Sequence, residues 1–539
     1  MMIAGENDRT EAYRKLGWWP GVRLAEHYHH HVIAHPDALA LADSTGRELT
    51  HAELWQRSGE LAESLRKQGI ESRDVVLLFL PNRVEWQIAM LAVLRLDAVP
   101  ASIATKTDSS TLAYAAQLVC SDLILTARTE HGDDLIGIAG EAASAAARDL
   151  GILCVSVDGE HQWVSEPKNR HAKSISGLDH IMFTSSTTGM PKAVMHSADT
   201  LAALNILFTE RFSLETEAPI FMGSPLGHSV GGIHGARLAL HTGAALILQE
   251  TWEPSAAMAL IEKYGCAFTA AATPFLKDLL DDASRAGKPR HSSLKSFLCG
   301  GAPVPPALLE KAWRLFPDTF VTNLWGMTEG GLVTCVPESP KDKLIETAGI
   351  GLPGLELRVI GEHGETLASG EEGELAMRGP GVCIGYCGQD DLYQSFLTPD
   401  GFFRTGDLAR IDDEGYVRIT GRLKDLIIRG GVNISPLAAE DILASHPGVR
   451  SVAVIGFPDD RLGERICAVI VPTEEKPSLG DLIRYASDEG LPKRNLPEVI
   501  RYVDAMPRTA AGKIRKPDLQ KLINRADPDQ LDLEVENVS

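Results

Sequence analysis

The chain has 539 residues, too many for one compact core, so two or more domains are expected. With 44% hydrophobic and 23% charged residues it has the composition of an ordinary globular protein. Its 52 basic and 73 acidic side chains leave a net charge of −21, which argues against a nucleic-acid partner and against docking on an anionic membrane. No apolar run reaches the roughly 18 residues of a membrane span. The first twenty residues lack the basic start and apolar stretch of a secretory signal. A soluble, cytoplasmic protein is expected. Of the eight cysteines only Cys383 and Cys387 are close, with no His beside them, and they read as free thiols rather than a zinc site.

Near the N-terminus His27, His31 and His35 fall at helical spacing. Pro36 ends that stretch and no carboxylate completes a ligand set, so a structural rather than a metal-binding role is expected there. Val75–Leu80 then reads as a buried strand, Arg83–Asp97 as a helix and Ala98–Ser102 as another strand. The pattern recurs at Leu123–Thr126, Ile152–Val157, Ala244–Leu248 and Ala267–Thr273, the last followed by a helix over Pro274–Ala283. Such alternation predicts an α/β fold of parallel sheets with helices on their faces. After about Gly349 short strands at Glu356–Ile360, Gly373–Arg378 and Tyr416–Thr420 alternate with Gly- and Asp-rich turns, a smaller antiparallel or barrel-like region over 349–423. From Lys424 a small α+β pattern follows: helix Pro436–Ser445, strands Ser451–Gly456 and Arg465–Val471, and helix Leu479–Glu489. The expected division is an N-terminal domain over 1–423 and a C-terminal domain over 424–539, with a polar, frayed tail after Ile523.

The first constellation with chemistry is Thr184, Ser185, Ser186, Thr187, Thr188 and Gly189, then Met190-Pro191-Lys192, after the apolar Ile181-Met-Phe183. Hydroxyl and amide donors in a row suit phosphate oxygens, and Lys192 adds a cation. The spacing is not that of a Walker loop. A Ser/Thr/Gly run alone is more often a plain loop; followed by Gly-x-Pro-Lys after a strand it is far more specific.

This segment resembles the phosphate-binding signature of the adenylate-forming superfamily, which includes acyl-CoA synthetases, adenylation domains of peptide synthetases and beetle luciferases. The other signatures follow in order across about residues 20–525. Asn323-Leu324-Trp325-Gly326-Met327-Thr328-Glu329 is similar to the adenine and magnesium motif, and Phe403-Arg-Thr-Gly-Asp407 to the ribose motif. Gly421-Arg422-Leu-Lys424 is similar to the hinge, with Gly430-Gly431 in the loop after it, and Pro507-Arg-Thr-Ala-Ala-Gly-Lys513 to the catalytic-lysine motif. The resemblance implies an enzyme that uses ATP, Mg²⁺ and coenzyme A. Lys513 would bridge the carboxylate and the α-phosphate, offsetting the repulsion of two anions. Glu329 would take the metal, Thr328 a phosphate and Asp407 the ribose hydroxyls with Arg422 near them. Trp325 offers a flat face to adenine, and Gly300, Gly301 and Ala302 would lie along its edge. Two residues depart from the usual pattern: Ser186 and Ala193 stand where the family has glycine.

Gly223 to Gly235 resembles the segment bordering the acyl pocket, with His228, Val230 and Gly231 at its edge and Ala272, Thr273 and Cys299 as further lining. These small, apolar residues favour an apolar or alicyclic acid over an amino acid. In the family the C-terminal domain turns about a residue matching Lys424 between adenylation and thioester formation, and Gly430 and Gly431 approach the thiol's arm. The sequence is therefore expected to be an AMP-forming acyl-CoA ligase for a short- or medium-chain or alicyclic acid. Its alternatives are loading of a carrier-protein phosphopantetheine in trans and, more distantly, a phosphoryl-transfer or non-catalytic nucleotide-binding protein. Its partners would be small molecules, with a homodimer left open.

Overall fold

Val75–Phe79 is apolar on both faces, the pattern of a parallel strand covered on both sides. In the computed structural model it lies inside an eight-stranded sheet whose order runs Gly385–Tyr386, Ala193–His196, His180–Phe183, Val99–Ser102, Val75–Phe79, Leu123–Thr126, Gly151–Cys154, Gln162–Ser165. The structure describes residues 6–147, 149–158, 160–167, 177–184, 190–214, 218–285, 292–301, 304–509, 512–525 and 534–535. The five strands from His180–Phe183 through Gly151–Cys154 are parallel, and the others join antiparallel at the edges.

A second sheet has nine strands. Its parallel centre comprises Phe320–Met327, Ser296–Gly300, Phe268–Ala272, Ile220–Met222, Leu246–Leu248 and Leu39–Asp43. The helix Val84–Arg95 is buried from Val84 through Leu94 and touches strands of both sheets. A helix apolar on every side is one that has been enclosed, so this helix is the shared core of the two layers. The helix Ala198–Phe212 starts at a capping box of Ser197 and Thr200, directly after the strand Ala193–His196.

Beyond the two large sheets, Glu356–Ile360, Gly373–Arg378, Phe403–Ile411 and Val417–Arg422 form a four-stranded antiparallel sheet. The C-terminal sheet centres on Gly463–Pro472, paired with Val449–Asp459, Ile427–Arg429 and Val499–Tyr502. The hairpin Val449–Asp459/Gly463–Pro472 runs longer at both ends than its apolar runs suggest, because cross-strand pairing continues through polar residues. Conversely, the strand expected over 152–157 stops at Cys154, where its neighbour Leu123–Thr126 ends. Among the described residues no helix is long and apolar enough to cross a membrane, and none of the eight cysteines is in a disulfide; seven of them are buried.

Candidate active site

The antiparallel pair His180–Phe183 and Ala193–His196 forms the base of the Ser/Thr/Gly segment. The Thr184 N–H donates to the Lys192 carbonyl at 3.0 Å, closing the loop at its root. Ser185, Ser186, Thr187, Thr188 and Gly189 lie outside the described residues. The Lys192 ammonium sits over two ring faces, 4.3 Å from the Phe396 centroid and 5.1 Å from that of Tyr386. Ala193 is fully buried opposite Phe183, so its methyl group is accommodated within the sheet.

Asn323 to Met327 is strand, and the chain leaves the sheet at Thr328. The Asn323 amide donates to the Thr347 carbonyl at 3.2 Å, and Leu324 is buried beside Gly300. Trp325 belongs to a buried apolar cluster with Val194, Val333, Met377 and Tyr386, and its indole N–H donates to Asp407 Oδ2 at 2.8 Å. The sequence suggested a stacking face; the structure adds an anchor for Asp407. His196 Nε2 donates to the Thr328 carbonyl at 2.8 Å, tying the strand after the Ser/Thr/Gly segment to this motif. Glu329 is buried, and its Oε1 accepts from Tyr386 Oη at 2.6 Å. Tyr386 was given no role from sequence.

Asp407 and Arg422 stand directly opposite each other on adjacent strands, the cross-strand position where opposite charges meet. Arg422 Nε lies 2.8 Å from Asp407 Oδ1. Each carboxylate oxygen thus holds one donor and retains lone-pair capacity for a ligand hydroxyl.

Lys513 comes from a tight turn. The Thr509 N–H donates to the Lys513 carbonyl at 2.8 Å, and the Gly512 N–H to the Thr509 carbonyl at 2.9 Å. Arg508 Nη1 donates to the Gly512 carbonyl at 2.7 Å, and Gly512 itself packs against Pro274 and Phe275. The side chain reaches Gly301, where an added Cβ would stand 2.8 Å from Lys513 Cε. Gly301 has φ +86°, a left-handed conformation that also favours glycine. Ala302 lies outside the described residues. Burial, and then the nearby Arg422, pull the Lys513 ammonium down to about 8, while Asp407 and Glu329 act against that pull. The lysine, the ribose-motif pair and the motif carboxylate therefore share one field.

His228 precedes a helical stretch, Ser229–Thr242, that widens into a π-helix over Gly232–Arg237. Such widened turns recur at functional sites, and no periodicity in the sequence signalled it. Burial and then the Lys513 charge push His228 down to about 4, so its imidazole is neutral. Its Nε2 has no hydrogen-bond partner among the described residues.

The expected acyl lining is only partly brought together. A cavity of about 320 Å³ opens at Gly223, Pro225, Gly227 and Phe275, within the expected segments, but His228, Val230, Gly231, Ala272, Thr273 and Cys299 do not line it. At Gly231 the Pro225 carbonyl fills the space a Cβ would need. Cys299 is buried, its thiol 3.7 Å from Thr273 Oγ1 and pushed up to about 12 by burial. The cavity is lined instead by Asn82, Lys106 and Trp252 among others. Asn82 and Lys106 follow the carboxyl ends of the strands Val75–Phe79 and Val99–Ser102, where open parallel sheets bind ligands, and that rule could have found them. Asn82 also pins the loop by donating to the Ser224 carbonyl and accepting the Leu226 N–H, each at 2.8 Å.

Lys424 sits in a single 3₁₀ turn, Leu423–Asp425, that joins the small sheet to the C-terminal sheet. Gly430 and Gly431 are exposed at a two-residue hairpin tip with φ +58° and +81°, a primed turn that suits glycine. The histidine helix spans Leu24–Ala34. His27 and His31 both donate through Nε2 to the His241 carbonyl, at 2.8 and 3.1 Å, and no metal-holding cluster occurs among the described residues.

The AMP-binding enzyme family matches residues 28–387, and the AMP-binding enzyme C-terminal domain matches residues 438–513. The medium-chain fatty-acid–CoA ligase of Escherichia coli is 31% identical over 538 residues, covering 96% of this chain and 93% of its own. The salicyl-AMP ligase / salicyl-S-ArCP synthetase of Mycobacterium tuberculosis is 30% identical, over 94% of this chain and 92% of its own. The crystal structure of ATP-bound MatB from Rhodopseudomonas palustris shares the fold with a TM-score of 0.80 at 25% identity, over 94% of this chain and 99% of that one. The chain belongs to the AMP-binding enzyme family of the adenylate-forming superfamily, and it is an adenylate-forming acid ligase.

Proposed function

We propose that the chain is an acyl-CoA ligase that works in two steps. An acid's carboxylate oxygen attacks the α-phosphorus of ATP, the bond to pyrophosphate breaks, and acyl-AMP forms. The thiol of CoA then attacks the acyl carbon and AMP leaves. The observation that carries the first step is Lys513, held against Gly301 within the field of Asp407, Glu329 and Arg422. A fixed cation there offsets the repulsion between carboxylate and phosphate and the charge growing on the phosphoryl oxygens.

In this reading Thr184 through Gly189 and Lys192 hold the polyphosphate. Gly300, Gly301, Ala302 and the strand Asn323–Met327 border the adenine, and Asp407 with Arg422 takes the ribose. Glu329 fits Mg²⁺, which binds few carboxylates plus phosphates: it is buried, and no hydrogen bond from a described residue reaches its Oε2. When bound, the ion neutralises polyphosphate charge. His228, neutral beside Lys513, borders the carboxylate without adding a competing charge. Turning about Lys424 would bring the hairpin at Gly430 and Gly431 to the thiol.

The named activity of the E. coli relative supports a medium-chain acid and CoA. The salicyl-S-ArCP synthetase, nearly as similar, favours a second reading in which the acceptor is a carrier-protein phosphopantetheine. A pyrophosphate-release screen over straight-chain, alicyclic, aromatic and steroid-side-chain acids, with CoA or holo-carrier protein, separates them. Transfer to carrier protein alone would overturn the CoA assignment, and turnover confined to aromatic acids would overturn the apolar-acid assignment.

A further inference from the structure

Gly385–Tyr386 is a two-residue strand that pairs with the strand behind the phosphate loop, Val194 opposite Tyr386. This places Tyr386 between Lys192 and Glu329. Its side chain is fully buried. The ring is set edge-on to Tyr393, Phe396 and Phe403, at centroid distances of 5.4, 6.2 and 6.5 Å, and has little freedom to turn. From this socket the hydroxyl donates to Glu329 Oε1 at 2.6 Å, the length of a charge-assisted O–H···O⁻ bond. The same segment grips the main chain of Glu329, whose carbonyl accepts the Cys383 N–H at 2.7 Å. Tyr393 Oη in turn donates to the Cys383 carbonyl at 3.1 Å. Glu329 is therefore held at both backbone and carboxylate.

We propose that Tyr386 is a positioning residue for the metal carboxylate: its hydroxyl fixes Glu329 Oε1 so that Oε2 faces the divalent cation of the metal–ATP complex, while its ring face parks Lys192 beside the same site. The proposal rests on the reading of Glu329 as the metal ligand. A carboxylate already held in one rotamer loses less side-chain entropy when it takes up a cation. Lys192 over the ring keeps a cation close to the polyphosphate without an ion pair to Glu329 that metal binding would have to break.

The test is Tyr386→Phe, which removes one oxygen and keeps the ring packing. Two controls accompany it: Glu329→Gln, and Tyr393→Phe, which deletes a neighbouring half-buried hydroxyl that bonds the Cys383 carbonyl and not the Glu329 carboxylate. Mn²⁺ binding to the enzyme in the presence of a non-hydrolysable ATP analogue is followed by paramagnetic resonance, and the Mg²⁺ half-saturation of pyrophosphate release is measured beside it. Partners that orient metal ligands are typically worth about 10–100-fold in metal affinity. Tyr386→Phe is expected to weaken Mn²⁺ binding and raise the Mg²⁺ half-saturation by about tenfold or more, with the rate at saturating Mg²⁺ largely kept. Tyr393→Phe is expected to match the parent enzyme. Unchanged metal affinity in Tyr386→Phe beside a weakened Glu329→Gln overturns the proposal and leaves the metal assignment standing. Unchanged affinity in Glu329→Gln overturns both. Equal weakening in the two tyrosine variants means general loosening of the aromatic cluster and also overturns it.

Discussion

Lys513, in the turn that begins at Thr509, meets Gly301, at the end of the strand Ser296–Gly300, with Lys513 Cε 2.8 Å from the place a Cβ at residue 301 would occupy. Carbon atoms in contact stay about 3.5–4.0 Å apart. Gly301→Ala would therefore displace the lysine as well as strain a residue at φ +86°. Adenylation, measured as acid-dependent pyrophosphate release, is expected to fall about 10–100-fold, corresponding to one or two steps of 1.4 kcal/mol in barrier. Thioester formation from preformed acyl-AMP should stay within about twofold. Equal loss of both half-reactions would mean that Gly301 serves the fold rather than the lysine.

Removing the cation is the complementary change. Lys513→Ala is expected to lower adenylation by about 10²–10³, the usual effect of deleting one preorganised charge stabiliser, and to spare transfer from preformed acyl-AMP. A parallel collapse of both steps would contradict that division of labour.

The pH profile follows from the same burial. The ammonium is the working form, and in the free enzyme it is lost near pH 8. The kcat/KM for ATP in the first step is expected to fall about tenfold per pH unit above that value. Lys513→Arg should abolish this alkaline limb, because guanidinium stays charged. When the turn is undocked the lysine keeps its proton up to about 10.5. Between these two values the undocked form binds more protons, so docking tightens as pH rises even while the chemistry fades. An alkaline limb that survives Lys513→Arg would assign it to another group.

Where the sequence was legible, short motifs coincided with places where backbone geometry restricts the residue. Gly301, Gly430 and Gly431 occupy left-handed conformations, and Asp407 and Arg422 are fixed by strand register. The strands Leu123–Thr126, Glu356–Ile360 and Gly373–Arg378 were readable to the residue because turns bound them on both sides. What could not be read depends on contacts between segments far apart in the chain. Tyr386 lies 57 residues from Glu329, and Trp325 lies 82 from Asp407. The lining of the cavity beside Gly223 and Phe275 is of the same kind. Cys299 points into the core and Gly231 is filled by Pro225, whereas the cavity draws on Asn82, Lys106 and Trp252 from three other loops.

Asp407 is held by two donors of different kinds, and its variants should separate them. Asp407→Asn keeps an acceptor for the Trp325 indole but loses the charge partner of Arg422. Hydrogen bonds to charged groups contribute about 1.5–3 kcal/mol, so the ATP KM is expected to rise about 10–100-fold. Trp325→Phe keeps an aromatic ring and loses the N–H; a rise of only about threefold to tenfold is expected. ATP binding by calorimetry checks both. Unchanged affinity in Asp407→Asn would remove Asp407 from the ribose site.

The hairpin at Gly430 and Gly431 carries the thiol half of the reading. Both glycines have positive φ, and Gly431 has open space where a Cβ would go. Gly431→Val would thus act through the backbone rather than through a clash, since a β-branched residue resists φ +81°. The hairpin tip should reshape at a cost of about 1–2 kcal/mol. Acyl transfer to CoA is expected to slow about tenfold or more, with pyrophosphate release in the first turnover unchanged. The melting temperature of the variant, measured alongside, separates local reshaping from loss of the C-terminal sheet. If both half-reactions fell together with the melting temperature, the hairpin would be serving the fold of that sheet, and the case for a thiol acceptor would then rest on the direct comparison of CoA with carrier protein.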